Sequence, residues 1–342
     1  MPITIKDVAK RANVSSATVS LVINKNKRIS EKTRAIVLKA IKDLGYHPSR
    51  SARGLVSKQN GNIGFILTDD HFSRSEPFYT KIFIGTELQA RDDEYYVLLT
   101  TIPKSFKKPD SLPRFVLERN VEGTILAGMI PWDLMDCLEE YKLPLVFVDY
   151  YPANGKYSVV MSDNIAGGFQ ATQHLIDCGH RRITYLYSDQ QHPSINERFQ
   201  GYKMALEKAN LDSIPVSDEG STNRKGGYNA AQRLFAKRKD VTAIFACNDA
   251  MAIGALQFLK EKGMKVPKDV SIVGFDDVEA DLSLDPPLTT IRVQKEEMGI
   301  QAMRLLTEIL RNNSAKPRKI LVPVELIVRG STCKLNKKVE SK

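Results

Sequence analysis

The chain has 342 residues, 42% of them hydrophobic, and carries 50 Lys and Arg against 40 Asp and Glu for a net charge of +10. That is enough for a small head and a large body, or for three lobes, with ample material for a core. Residues 1–60 hold 13 basic and 3 acidic side chains, which leaves the remainder balanced at 37 of each. All the excess charge therefore sits on the first sixth of the chain, the footprint expected for phosphate contact. No 18-residue apolar run exists, so no membrane span is expected, and the start MPITIKDVAK lacks the apolar core of a secretion signal. Cys137, Cys178, Cys247 and Cys333 show no CxxC spacing and read as reduced, mostly buried thiols of a cytoplasmic protein. His47, His71, His174, His180 and His192 lack metal-ligand spacing, so neither a metal nor a cofactor is expected; His180, in the GHRRI turn, reads as structural.

In chain order, TIKDVAKRANVSSATVSLVIN (residues 4–24) predicts two short amphipathic helices around a polar turn. Ile5, Val8, Ala9 and Ala12 form an i, i+3, i+4, i+7 stripe. Thr4 with Asp7 makes a capping-box start. Asn13 tolerates left-handed backbone in the turn. Ser15 or Ser16 caps the second helix, which buries Val19 and Val22. Two stripes this short need a third helix. Residues 30–44 supply it, with Ser30 as cap, Val37, Ala40, Ile41 and Leu44 as stripe and Gly45 as stop. A helix–turn–helix with a supporting helix is a DNA-reading head.

Residues 45–60, GYHPSRSARGLVSKQN, read as a linker in which Pro48 opens one short helix to about Val56. Isolated helices of that length are unstable, so this one forms only when something packs on it. From residue 61 short β-rich runs alternate with helical stretches. Expected strands are Ile63–Leu67, Tyr96–Leu99, Gly123–Ala127, Leu145–Val148, Ile183–Leu186, Ala243–Ala246 and Ser271–Phe275. Expected helices include Phe169–Cys178, Arg198–Ala209, Tyr228–Ala236 and Ala250–Lys262. The alternation predicts parallel sheets covered on both faces, and a break near 150–160 predicts two successive α/β lobes. Many strands end on an acid or amide: Asp69, Asp70, Asp149, Asp189, Asn248, Asp249, Asp276 and Asp277. Strand carboxyl ends are where open α/β sheets bind ligands, and these side chains suit a hydroxylated one. Capping of the following helices is the equal alternative for each residue taken alone.

With these segments in order, the chain resembles the LacI/GalR family of transcription factors over nearly its whole length. The resemblance runs through the two-helix stretch, ISEKTRAIVLKAIKDLGYHPSRSARGL, VEGTILAG, SDNIAGG, HLIDCGHRRI, RFQGYKMAL, ACNDAMAIGAL, VSIVGFDD and PPLTTIR. It implies a helix-turn-helix head (1–47), a hinge helix and linker (48–60) and a body (61–342) of two periplasmic-binding-protein-like lobes. The first lobe would comprise about 61–160 and 291–320, the second about 161–290 and 321–333. The second helix of the head would enter the major groove, with Ser16, Ala17 and Leu21 at the base-reading positions. Leu21 departs from the longer polar or basic side chain common there; it suits a thymine methyl and cannot make the bidentate guanine contact of an Arg. Thr4, Ser15, Thr18, Ser20, Asn24 and Arg28 are implied phosphate anchors, with capping or surface roles as the alternative. Ser51, Ala52 and Leu55 match hinge positions, Leu55 being the minor-groove wedge, with a spacer touching the body as the alternative.

Implied effector contacts are Phe78, Tyr79, Asp149, Ser194, Arg198, Asn248 and Asp276, with Thr222 standing where the family often has a stacking aromatic; contact with the dimer partner or core packing is the alternative for Phe78 and Tyr79, and a surface place at a helix start for Arg198. Trp132, in a loop after the Gly123–Ala127 strand, offers another ring, with packing the more ordinary role. The tail after Arg329 lacks leucine heptads, so a homodimer rather than a coiled-coil tetramer is implied. The expected function is a repressor on a near-palindromic duplex operator, controlled by a sugar or sugar derivative between the lobes. A purine, a nucleoside or a partner protein is the alternative effector. No dinucleotide fingerprint, Walker loop or GxSxG elbow is present, so an enzyme with a DNA-binding head is not expected. A pure solute-binding protein would not carry the basic head.

Overall fold

The computed structural model describes residues 3–23, 26, 28–46, 60–71, 77–108, 111–152, 155–188, 192–217, 222–312 and 315–335. The chain divides into two compact units, Met1–Gly61 and Asn62–Lys342. The hinge positions Ser51, Ala52 and Leu55, like Asn24 and Asp189, lie outside the described residues.

Among its described residues the first unit has three helices: α1 (Ile5–Ala12), α2 (Ser16–Ile23) and α3 (Glu31–Leu44). Thr4 donates both its N–H (2.8 Å) and its hydroxyl (2.7 Å) to the Asp7 carboxylate. Asn13 closes α1 at φ 52° and Gly45 closes α3 at φ 60°, as their residue types allow. Ser15 rather than Ser16 caps α2, its Oγ accepting the Thr18 N–H at 3.1 Å, while Ser30 caps α3 through the Thr33 N–H at 3.2 Å. The expected stripes meet in one core of Val8, Ala9, Ala12, Val19, Val22, Val37 and Ala40.

The second unit is two sheets. β1 (Asn62–Thr68), β2 (Tyr96–Ile102), β3 (Gly123–Ala127), β4 (Leu145–Val148), β5 (Ser158–Ser162) and β11 (Lys319–Val322) form the first, ordered β11-β5-β4-β3-β1-β2 and parallel throughout. Around it lie α4 (Phe78–Asp92), the one-turn α5 (Arg114–Leu117), α6 (Trp132–Glu140) and α11 (Lys295–Arg311). β6 (Ile183–Tyr187), β7 (Ile214–Ser217), β8 (Ala243–Ala246), β9 (Ser271–Asp276), β10 (Thr289–Val293) and β12 (Val324–Ile327) form the second, ordered β12-β10-β9-β8-β6-β7. Its helices are α7 (Asn164–Asp177), α8 (Pro193–Lys208), α9 (Arg224–Lys237) and α10 (Asp249–Glu261). One pairing departs from the parallel expectation: β12 runs antiparallel to β10. Helices on both faces explain why β3, β4 and β5 are buried at every position and read as apolar runs instead of alternating.

The chain crosses between lobes after Ser162, after Val293 and after Val322, two or three residues beyond the expected 160, 290 and 320. All seven expected strands form. Among the described residues five unexpected ones join them: β5 lies in the stretch read as the inter-lobe break, and β7, β10, β11 and β12 are only four or five residues long. Helix α7 starts at Asn164, five residues before the expected Phe169. The glycines in NIAGG look like breakers, yet a Cβ on Gly168 would stand 2.2 Å from the Arg198 carbonyl, and one on Gly201 would stand 2.1 Å from that of Ile165. Those glycines let α7 and α8 pack backbone to backbone, which sets where Arg198 stands.

Candidate nucleic-acid interface and effector site

Helix α2 presents a small, uncharged outer face. Val19 and Val22 point into the head core, while Ala17 and Leu21, four residues apart, are exposed on the opposite side beside half-buried Ser16 and Ser20. Thr18 and Ser15 are tied to each other (Oγ1 to Oγ, 2.9 Å) at the cap. Thr4 and Arg28 are exposed. The capping alternative thus describes Thr4, Ser15 and Thr18, while Ala17 and Leu21 stay exposed on a helix that carries no carboxylate.

In the body six of the implied effector residues, Phe78, Tyr79, Asp149, Ser194, Arg198 and Asp276, come together between the lobes. Tyr79, in the first turn of α4, donates its hydroxyl to Asp149 Oδ2 at 2.9 Å. Ser194, in the first turn of α8 in the other lobe, donates to Asp149 Oδ1 at 2.9 Å. Asp149 follows β4 with φ 60°, and Asp276 ends β9 at φ 123°, a backbone region that L side chains rarely adopt. One strained carboxylate thus comes from each lobe. Arg198 lies buried beside Asp276. Its Nε donates to Asn164 Oδ1 (2.9 Å), Nη1 to the Cys247 carbonyl (2.6 Å), and Nη2 lies 3.5 Å from Asp276 Oδ1. The guanidinium covers the Phe275 ring at 3.7 Å. Lys295, the first residue of α11, donates to the backbone carbonyls of Asp276 and Asp277 and holds that strained turn from the first lobe. Phe78 places its ring 5.7 Å from the Lys295 ammonium.

Burial dominates the electrostatics. It pushes the Asp276 carboxyl up to about 7 against the pull of Arg198, and lowers the Lys295 ammonium. Burial, then the Asp149 carboxylate, raises the Tyr79 phenol well above its ordinary value. Beneath the site, Asp249 and Asp281 are both buried and receive the same Val278 N–H at 3.2 and 3.0 Å. Burial and its neighbour carry Asp249 well above the ordinary range, and burial carries Asp281 to about 6. Asp277 goes the other way: burial acts to raise it, but hydrogen bonds from Arg329 and Arg292 bring it below the usual range. It is a structural anchor.

Three comparisons with known proteins bear on this geometry. The sequence pattern of bacterial regulatory proteins of the lacI family matches residues 4–49, and that of the periplasmic binding protein-like domain matches residues 172–332. The HTH-type transcriptional repressor PurR of Mannheimia succiniciproducens is 35% identical over 335 residues, 97% of this chain and 99% of that protein. The chain belongs to the LacI family of bacterial regulators. PurR of Haemophilus influenzae is also 35% identical, over 96% of the chain and 98% of its own length. Among solved structures, a transcriptional regulator CelR–cellobiose complex matches at 31% identity and TM-score 0.72, covering 96% of this chain and 99% of that one. The lac repressor dimer bound to operator and an anti-inducer matches at 26% identity and TM-score 0.76, over 97% and 100% of the two chains.

Within this LacI-family body, Phe78, Tyr79, Asp149, Ser194, Arg198 and Asp276 stand together. Asn248 and Thr222 form a side branch: Asn248 Oδ1 caps α10 through the Met251 N–H (2.9 Å), while Nδ2 donates to the Thr222 carbonyl (2.8 Å). The capping alternative thus describes Asn248, whose amide is used at both ends. Asp69 and Asp70 sit in an exposed 3₁₀ turn, Asp70 3.6 Å from Lys104. Trp132 starts helix α6 instead of lying in a loop, and at 57% exposure it packs into no core. His180 is structural: its ring contacts Thr242, Ser271 and the Cys333 carbonyl at 3.0–3.2 Å. Cys137 and Cys247 are buried, but Cys178 and Cys333 are only half-buried. Sequence reasoning missed Lys295, Phe275, Asn164 and Glu197. A Lys opening the KEEMGIQAM helix carries no pattern that distinguishes it from a surface residue. Among the described residues no helix is long and apolar enough to cross a membrane.

Proposed function

We propose that this chain is a repressor that binds a near-palindromic operator as a homodimer and is controlled by a small carbohydrate held between its lobes. The observation that carries the reading is Asp149, which takes one hydrogen bond from Tyr79 of its own lobe and one from Ser194 of the other. A ligand competing for that carboxylate changes what holds the lobes together. Asp149, Asp276 and Arg198 supply acceptors and a fork of donors for vicinal hydroxyls, and Phe78 and Tyr79 supply apolar faces. The head (1–47) reads a half-site through Ser16, Ala17 and Leu21, with Thr4, Ser15, Thr18, Ser20, Asn24 and Arg28 on phosphates. The hinge (48–60) orders in the minor groove with Leu55 as wedge. Effector binding changes the rotation of the lobes, and with it the spacing of paired hinges, the bistable element that couples the sites. The dimer forms on the side of β2, the outermost strand of its sheet, where Ile84, Leu88, Tyr96 and Leu99 are exposed. The chain works in the cytoplasm by binding, without turnover. The cellobiose-bound relative supports a sugar effector.

A purine or nucleoside is the second reading, favoured by relatives that carry the name PurR. The test begins with an operator selected from random duplexes. Thermal shift against cellobiose, ribose, phosphosugars and purine bases follows, and operator affinity is remeasured with each binder. A sugar that changes operator affinity in the native protein but not in Arg198→Ala is the expected result. A purine doing so selects the second reading. If no small molecule in the panel moves operator affinity, both fail.

A further inference from the structure

Glu197 precedes Arg198 on α8 and is buried, and it reaches the effector site through Asn164. Its Oε1 accepts the Tyr151 hydroxyl at 3.1 Å and the Lys319 ammonium at 2.6 Å. Its Oε2 accepts Asn164 Nδ2 at 3.1 Å. Tyr151 follows β4 and Lys319 opens β11, so both belong to the first lobe, whereas Glu197 belongs to the second. Lys319 also stands 4.5 Å over the Tyr151 ring. Asn164 begins α7 just past the first crossing between lobes; its Oδ1 receives both Arg198 Nε (2.9 Å) and Ser162 Oγ (3.1 Å). An unbroken polar chain therefore runs Lys319–Glu197–Asn164–Arg198–Asp276, from β11 to the end of β9.

We infer that Glu197 is a positioning residue, an inter-lobe latch that pins β11 and the β5–α7 crossing and, through Asn164, orients Arg198. A buried ion pair by itself is weak evidence for stability, because desolvation offsets the attraction. This pair differs in straddling two bodies. Relative rotation of the lobes parts Glu197 from Lys319, while the other oxygen of the same carboxylate holds the amide on which Arg198 rests. Lys319 keeps roughly a third of its side chain in water, so the latch parts without stranding the cation. Tyr151, carried on the first lobe, parts together with Lys319, and Glu197 keeps the Asn164 amide of its own lobe as partner.

The inference rests on the reading that the body works by lobe rotation, and its test needs neither effector nor operator, so the two fail separately. Hydrogen exchange of the full chain is followed residue by residue. Glu197→Gln, which keeps shape and neutral hydrogen bonds, gives about tenfold faster exchange of amides 162–166 and 319–322, with core strands β1 and β8 unchanged. Lys319→Met gives the same local effect, the double variant exceeds neither single one, and Lys319→Arg restores protection. Wild-type exchange at the crossings in Glu197→Gln overturns the latch. So does equal acceleration through β1 and β8, which is what simple loss of stability would produce. Should Glu197→Gln not fold, Lys319→Met with its Arg rescue decides the matter alone.

Discussion

At the residue scale the site depends on two aspartates held where aspartate is strained. Asp276 combines φ 123°, burial and a guanidinium 3.5 Å away, so its proton affinity reports on the site. A carboxyl whose pKa is about 7 when folded and 3.8 ordinarily binds its proton more tightly in the fold. It contributes stability that is fully present below the lower value and is lost as the pH rises through about 7. Asp249 and Asp281, raised by burial, act with the same sign. Wild type should therefore lose stability relative to Asp276→Asn between about pH 4 and pH 8. Urea denaturation of both proteins across that range measures the difference, and parallel curves would contradict it. How much of this was legible differs by residue. Asp149 and Asp276 stood out as acids at strand ends, and Arg198 through its RFQGYKMAL setting. Lys295 and Glu197 did not, because an acid or a base on an amphipathic helix looks solvated until the opposing lobe is in place.

At the element scale, packing of α7 on α8 sets the height of Arg198 in the cleft. Because a Cβ on Gly168 would meet the Arg198 carbonyl at 2.2 Å, Gly168→Ala must displace one helix. Overpacking of this kind costs about 3 kcal/mol. A denaturation midpoint implying a loss below about 0.5 kcal/mol would show that the helices part freely. The same glycines explain why the sequence placed the start of α7 too late. Strand period and helix period were legible where both faces are buried, and were not in four-residue edge strands such as β11 and β12, whose burial is mixed. The hinge is a separate element. If residue 55 is the wedge, Leu55→Ala loses most specific operator affinity, while salt-sensitive binding to random duplex persists. Unchanged operator affinity in a gel-shift titration would remove Leu55 from that role.

For the whole molecule, charge and chemistry are divided. The excess of basic residues is confined to residues 1–60, and the balanced remainder builds two sheets whose carboxyl ends supply Asp149 and Asp276. That division was visible before any fold was known, since charge asymmetry needs no tertiary structure to be counted. The order of strands was not visible, because β11 joins the first sheet after the second is nearly complete, a pairing of residues about 160 positions apart in sequence. The central claim is that occupancy of the cleft sets the grip of the head on one DNA sequence. It is tested most directly by a competition titration of the selected operator against random duplex at fixed salt, with and without the small molecule that binds the body. The account predicts a preference for the operator of about 10³-fold or more, and a change of operator affinity of about 5–150-fold on adding the ligand. Equal affinity for operator and random duplex, or a preference that the bound ligand leaves unmoved, would contradict it.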